Sequence, residues 1–137
     1  MNTLQRFLAV LLLAFALAVT VQSVSSPFYQ DAVNIGQIWT YVNYLMAFGV
    51  LASLVVHYQR KQAFVNTGET ITPKYLEVNI AFYLSVVLAL CFFWNWFDDL
   101  TVGPDGQDTV HLIMWTLVNP LFVVISGHAG FRLWRHD

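Results

Sequence analysis

Chemistry in this sequence could come from two groups of side chains. The first is acidic and aromatic. It begins at Trp94-Asn95-Trp96-Phe97-Asp98-Asp99, continues through Asp105 and Asp108, and closes at His111. Carboxylates with an imidazole are ligands for a divalent ion such as Zn, Mn or Fe. Asp98 or Asp99 with Asp108 and His111 is the metal site this spacing would build. The second group is His57 and His128, two imidazoles far apart in the chain. Placed on facing helices at equal depth, they could ligate a b-type haem or contact a quinone, with Arg60 or Arg132 near a haem propionate.

Each group also has a plain local explanation. Trp94, Trp96 and Trp115 suit an interfacial aromatic belt. Asp98 and Asp99 would end a helix in water. Gly103-Pro104-Asp105-Gly106 is turn chemistry. Asp108 or Thr109 would cap the next helix, where a carboxylate meets the positive end of the helix dipole. An imidazole within an apolar segment is commonly a core group bonded to a neighbour. Glu77, near Lys74 and Asn79, is expected to reach water or to pair with Lys74. The order His128, Gly130, Arg132 resembles a pattern in the haem-anchor subunits of succinate dehydrogenase. Those subunits have three spans and an upstream signature that this sequence lacks, so no family is assigned.

The elements that must position these residues follow from composition. Of 137 residues, 58% are hydrophobic and 10% charged. A soluble domain carries roughly 25% charged residues, so the apolar surface has to face lipid. A helix needs about 20 mostly apolar residues to cross a bilayer. Four segments meet this, at about 7–24, 35–58, 75–97 and 110–133. They are continuously apolar, unlike the alternating strands of an outer-membrane barrel. The expected fold is therefore all-α, a single domain over 1–137 with four transmembrane helices and short connections. The first segment is longer than the apolar region of a cleaved signal peptide and reads as a signal anchor.

Charge placement predicts direction. The basic residues are Arg6, Arg60, Lys61, Lys74, Arg132 and Arg135, and the segments 25–34 and 98–109 contain none. Basic connections stay in the cytoplasm. Both termini and 59–74 are expected there, with 25–34 and 98–109 outside, in a bacterial inner membrane or its equivalent.

Burial alone does not join helices in lipid; small residues and interhelical hydrogen bonds do. The expected contact faces are Ala14 and Ala18 in the first span; Gly36, Asn43 and Ala47 in the second; and Asn119, Ser126 and Gly130 in the fourth. Pro120 should bend the fourth span near Thr116. Cys91 is the lone cysteine, so no intrachain disulfide forms. No nucleotide-binding or nucleophile-elbow motif occurs, and the basic residues are too few for nucleic acid.

No catalytic constellation emerges. The leading expectation is a non-catalytic accessory subunit that meets larger membrane protein subunits, within an oxidoreductase complex or another assembly. Its richness in large aromatics, 11 Phe, 6 Tyr and 5 Trp, exceeds what four helices can bury among themselves. The alternatives are a haem- or quinone-binding redox subunit using His57 and His128, and a small homo-oligomeric transporter or channel subunit. No cofactor is required by the leading reading.

Overall fold

A computed structural model describes residues 2–68, 70–103 and 108–135. It is all-helical: α1 spans Thr3–Tyr29, α2 Ile35–Asn66, α3 Pro73–Val102 and α4 Thr109–Arg135. All four helices are long and apolar enough to cross a membrane. At 1.5 Å per residue, the 32 residues of α2 reach about 48 Å. That exceeds a hydrocarbon core of about 30 Å.

The helices begin where side chains satisfy free amides. Asn2 and Gln5 form a reciprocal capping box on α1. Asn34 caps α2 by accepting from the Gln37 amide at 3.2 Å. Thr72 caps α3, with Pro73 in the first turn, where its missing N–H costs nothing. Asp108 accepts the His111 amide at 3.1 Å before α4.

The ends run further than expected. Composition placed the second span's end at Tyr58, but α2 continues through Gln59-Arg60-Lys61 to Asn66. Nothing in that polar stretch breaks a helix before Gly68, which adopts φ 68°. Likewise α3 passes through Asp98 and Asp99 and stops at Gly103, whose amide donates to the Asp99 carbonyl at 2.9 Å. The two aspartates therefore lie within the last turns of α3 rather than beyond it. Pro120 sits inside a continuous α4.

The two ends of the bundle differ in charge. We call the end carrying residues 30–34, Gly103 and Asp108 the acidic end, and the other the basic end. α4 touches all three other helices, α1 packs chiefly on α4, α2 packs chiefly on α3, and α1 and α2 share a smaller contact. The core runs through Met46, Val50, Leu88, Phe92, Val118, Phe122 and Ile125.

Small residues set the closest approaches. A Cβ on Gly130 would lie 2.9 Å from Leu13 Cγ and 3.0 Å from the Ala9 carbonyl oxygen. A Cβ on Gly49 would lie 2.7 Å from the Phe122 ring. Asn43 and Ser126 are buried, and Ala47 packs against the core. Ala14 and Ala18, expected at a contact, face outward instead. The packed stripe of α1 is Ala9, Leu12, Ala16 and Val19. Because α1 is apolar on every side, its own periodicity could not choose between these faces; the fit of Gly130 against Ala9 does.

Replacing Gly130 with Leu should destabilise the bundle by about 1–3 kcal/mol and lower its thermal midpoint in detergent. Gly127→Ala is the control, because its Cβ would meet Ala16 Cβ at an ordinary 3.9 Å. Equal midpoints for G130L and the parent would remove the α1–α4 crossing from the account.

Candidate functional site

Three polar regions interrupt the apolar bundle. At the basic end, α2, α3 and α4 meet around Glu77. Arg60 Nη1 and Nη2 donate to the two Glu77 carboxylate oxygens at 3.1 and 3.2 Å. His128 Nε2 lies 2.9 Å from Oε1, and Arg132 Nη2 lies 3.3 Å from the same oxygen. Glu77 thus pairs with Arg60, His128 and Arg132, where Lys74 was the expected partner. The fork of Arg60 matches the carboxylate in a bidentate pair, the stronger form of ion pair.

His57 and His128 do come together, as their expected equal depth implied. Their rings stack with centroids 5.3 Å apart and an interplanar angle of 23°. His57 is buried, and its Nε2 lies 3.3 Å from the Ile125 carbonyl. A carbonyl only accepts, so the His57 Nε2 carries the proton; the His128 Nε2 lies between an acceptor, Glu77, and a donor, Arg132 Nε at 3.5 Å. Both Nδ1 atoms are buried without a hydrogen-bond partner. An iron held between two imidazoles needs nitrogens that point at each other; these rings present their faces.

At the acidic end, His111 is gripped from both sides. Its Nδ1 lies 2.7 Å from Asp108 and its Nε2 lies 3.1 Å from Asp98. Asn95 Nδ2 donates to the His111 carbonyl at 3.1 Å, tying α3 to the start of α4. Of the four expected metal ligands, Asp98, Asp108 and His111 therefore meet. Asp99 turns elsewhere, beside the Trp115 side chain. Among the described residues no group of three or more His, Cys, Asp or Glu is arranged to hold a metal ion. Asp105 and the turn at Pro104 lie outside the described residues, as does His136.

The third region is a cavity of about 940 Å³ in the acidic half, bounded by all four helices. Thr20 and Ser23 come from α1; Gly36, Trp39 and Asn43 from α2; Trp96 and Asp99 from α3; Trp115, Asn119 and Val123 from α4. Along α4 its wall runs from Leu112 to Val124, about 18 Å of helix. Asp99 Oδ1 and Asn119 Oδ1 are buried without a hydrogen-bond partner. Pro120 also lines the cavity; lacking an N–H, it leaves the Thr116 carbonyl without its usual i+4 donor. Gly36 and Asn119, expected at helix contacts, line this space.

Sequence reasoning did not find the cavity. It is bounded by all four helices together, and no single helix encodes it. Its traces in the sequence are Asn43 and Asn119, expected at helix contacts, and Pro120 with its expected bend near Thr116.

Comparison of the chain with known protein families, with curated proteins and with solved structures finds no match.

Glu77→Gln should cost about 1–3 kcal/mol, between an exposed pair and a fully buried one. Unfolding of the purified protein in detergent checks this; unchanged stability would mean that the cluster holds nothing together. Asp108 gives a pH dependence. Its hydrogen bond with the His111 side chain, aided by the His111 amide, holds its carboxyl below the usual carboxylate range. A carboxyl lowered by folding stabilises above its unfolded value, about 3.9, and loses that contribution as pH falls through its folded value. Amide exchange at His111 and Leu112 should therefore accelerate below about pH 4, and Asp108→Asn should abolish that change.

Proposed function

We propose that the protein is an integral membrane protein that binds an amphipathic small molecule in its acidic-half cavity, as a non-catalytic subunit of a larger membrane assembly. The observation that carries this reading is the cavity itself. Its volume of about 940 Å³ falls in the range of small-molecule sites, about 300–1,000 Å³. Its lining also has their usual make-up, apolar and aromatic walls with a few polar groups. A buried acceptor without a partner costs free energy, and Asp99 Oδ1 and Asn119 Oδ1 both leave that cost unmet. A guest with donors at its head and an apolar body suits a wall that holds Asp99, Asn119 and Thr116 beside Trp39, Trp115 and Val123.

The membrane setting rests on the four apolar helices and on the ring of exposed large side chains, among them Phe7, Tyr44, Phe48, Trp94 and Phe97. The distribution of basic residues supports an orientation with both termini cytoplasmic and the acidic end outside. The subunit reading draws on the same exposed aromatics, whose number favours contact with larger partners as well as lipid. No group of side chains supplies a nucleophile with a base beside the cavity, so binding rather than turnover is the role supported.

Two measurements test this. Mild-detergent extraction followed by native mass spectrometry should release the chain with stoichiometric partner subunits and a small co-purifying molecule. Thr116→Trp places an indole in the cavity and should abolish retention of that molecule while the protein remains folded. Retention unchanged in T116W would sink the cavity reading. Migration of the parent chain alone would sink the subunit reading.

A further inference from the structure

We infer that the guest of this cavity carries an ammonium group, held by the Asp99 carboxylate and by the indole faces beside it. The inference rests on the cavity-binding reading above and names the class of ligand.

Charge is the first argument. Asp99 lines the cavity and keeps one oxygen buried with no partner. A buried carboxylate without a counter-charge is costly. The chain can supply little: between residues 7 and 59, and again between 75 and 131, there is no Lys or Arg. The nearest cationic candidate is His111, already bonded to Asp98 and Asp108 on its two nitrogens. Among the described residues the acidic end carries Asp31, Asp98, Asp99 and Asp108 and no Lys or Arg. An anionic head would be repelled there and a cationic one attracted.

The walls give the second argument. Trp39, Trp96 and Trp115 line the same space as Asp99. Indole faces attract ammonium groups, more strongly once water is excluded. Trp115 stands beside Asp99 in this wall. An ammonium brings up to three donors, and the polar side chains of Asp99 and Asn119 lie in the wall that would meet them. Deeper along α4, Val123 and Val124 offer an apolar bed for the rest of the molecule. The shared chemistry is an amphiphile with a primary or substituted ammonium head. It could be the headgroup of an aminophospholipid or a free amphipathic amine.

The test uses the full chain in maltoside micelles. Tryptophan fluorescence is followed while dodecylammonium, or its neutral isostere dodecanol, is added below its own micelle concentration. Dodecylammonium should bind at least tenfold more tightly than dodecanol. Asp99→Asn should lose that tenfold preference. Asp31→Asn removes the same charge from the same end but lies outside the cavity, and should keep the preference. Equal affinity for the two probes, or an unchanged preference in D99N, overturns the ammonium inference and leaves the cavity reading standing. If neither probe binds and T116W behaves as the parent does, the cavity reading itself fails. Native mass spectrometry from phosphatidylglycerol nanodiscs doped with phosphatidylethanolamine separates the sources. Selective retention of phosphatidylethanolamine assigns a lipid headgroup; a preference seen with dodecylammonium alone assigns a free amine.

Discussion

Glu77 is the point at which three of the four helices are tied. Its two oxygens take Arg60 from α2 and His128 and Arg132 from α4. In an apolar setting none of these groups can be left alone, because a desolvated charge without a partner costs several kcal/mol. The helices α2, α3 and α4 are therefore bound to one arrangement at the basic end. α1 contributes nothing to this cluster and is held by shape, through Ala9 and Leu12 against Gly130.

That asymmetry explains the open half. Ion pairing at one end sets the distances among α2, α3 and α4, and the tight crossing at Gly130 brings α1 in at the same end. At the acidic end the bridges are fewer: Asn95 to the His111 carbonyl, and His111 between Asp98 and Asp108. All of these join α3 to the start of α4. None reaches α1 or α2, and the cavity lies where no polar tie closes the bundle.

Much of the fold was legible before any coordinates. Continuous apolar runs gave four helices, because nothing else satisfies the backbone in such segments. Their ends were less legible. Apolarity marks where lipid would stop, whereas a helix stops where a breaker stands, as Gly68 and Gly103 show. The meeting of His57 with His128 was readable from depth alone. The pairing of Glu77 was not, since Lys74 was nearer in sequence and Arg60 and Arg132 became neighbours only through packing. The outward turn of Ala14 and Ala18 has the same origin: a uniformly apolar helix carries no preferred face, so its partner decides. The cavity is a property of four helices jointly, and only its scattered polar lining left a trace.

The pairing of α1 with α4 joins the first helix of the chain to the last, and that has a consequence for biosynthesis. About 80 residues separate Tyr29 from Thr109. At roughly 5–20 residues per second, α1 would wait about 4–16 s before its main partner exists. It is built for that interval. Its capping box is internal, it carries one charged residue, Arg6, near its start, and its Gln22 side chain accepts from Tyr29 on the same helix. Of the helices that follow, α2 and α3 bring Arg60 and Glu77, which pair with each other, and α4 then adds His128 and Arg132 to the same carboxylate. The self-sufficient helix thus precedes the three that share one charge cluster, and α4, which every other helix touches, completes that cluster.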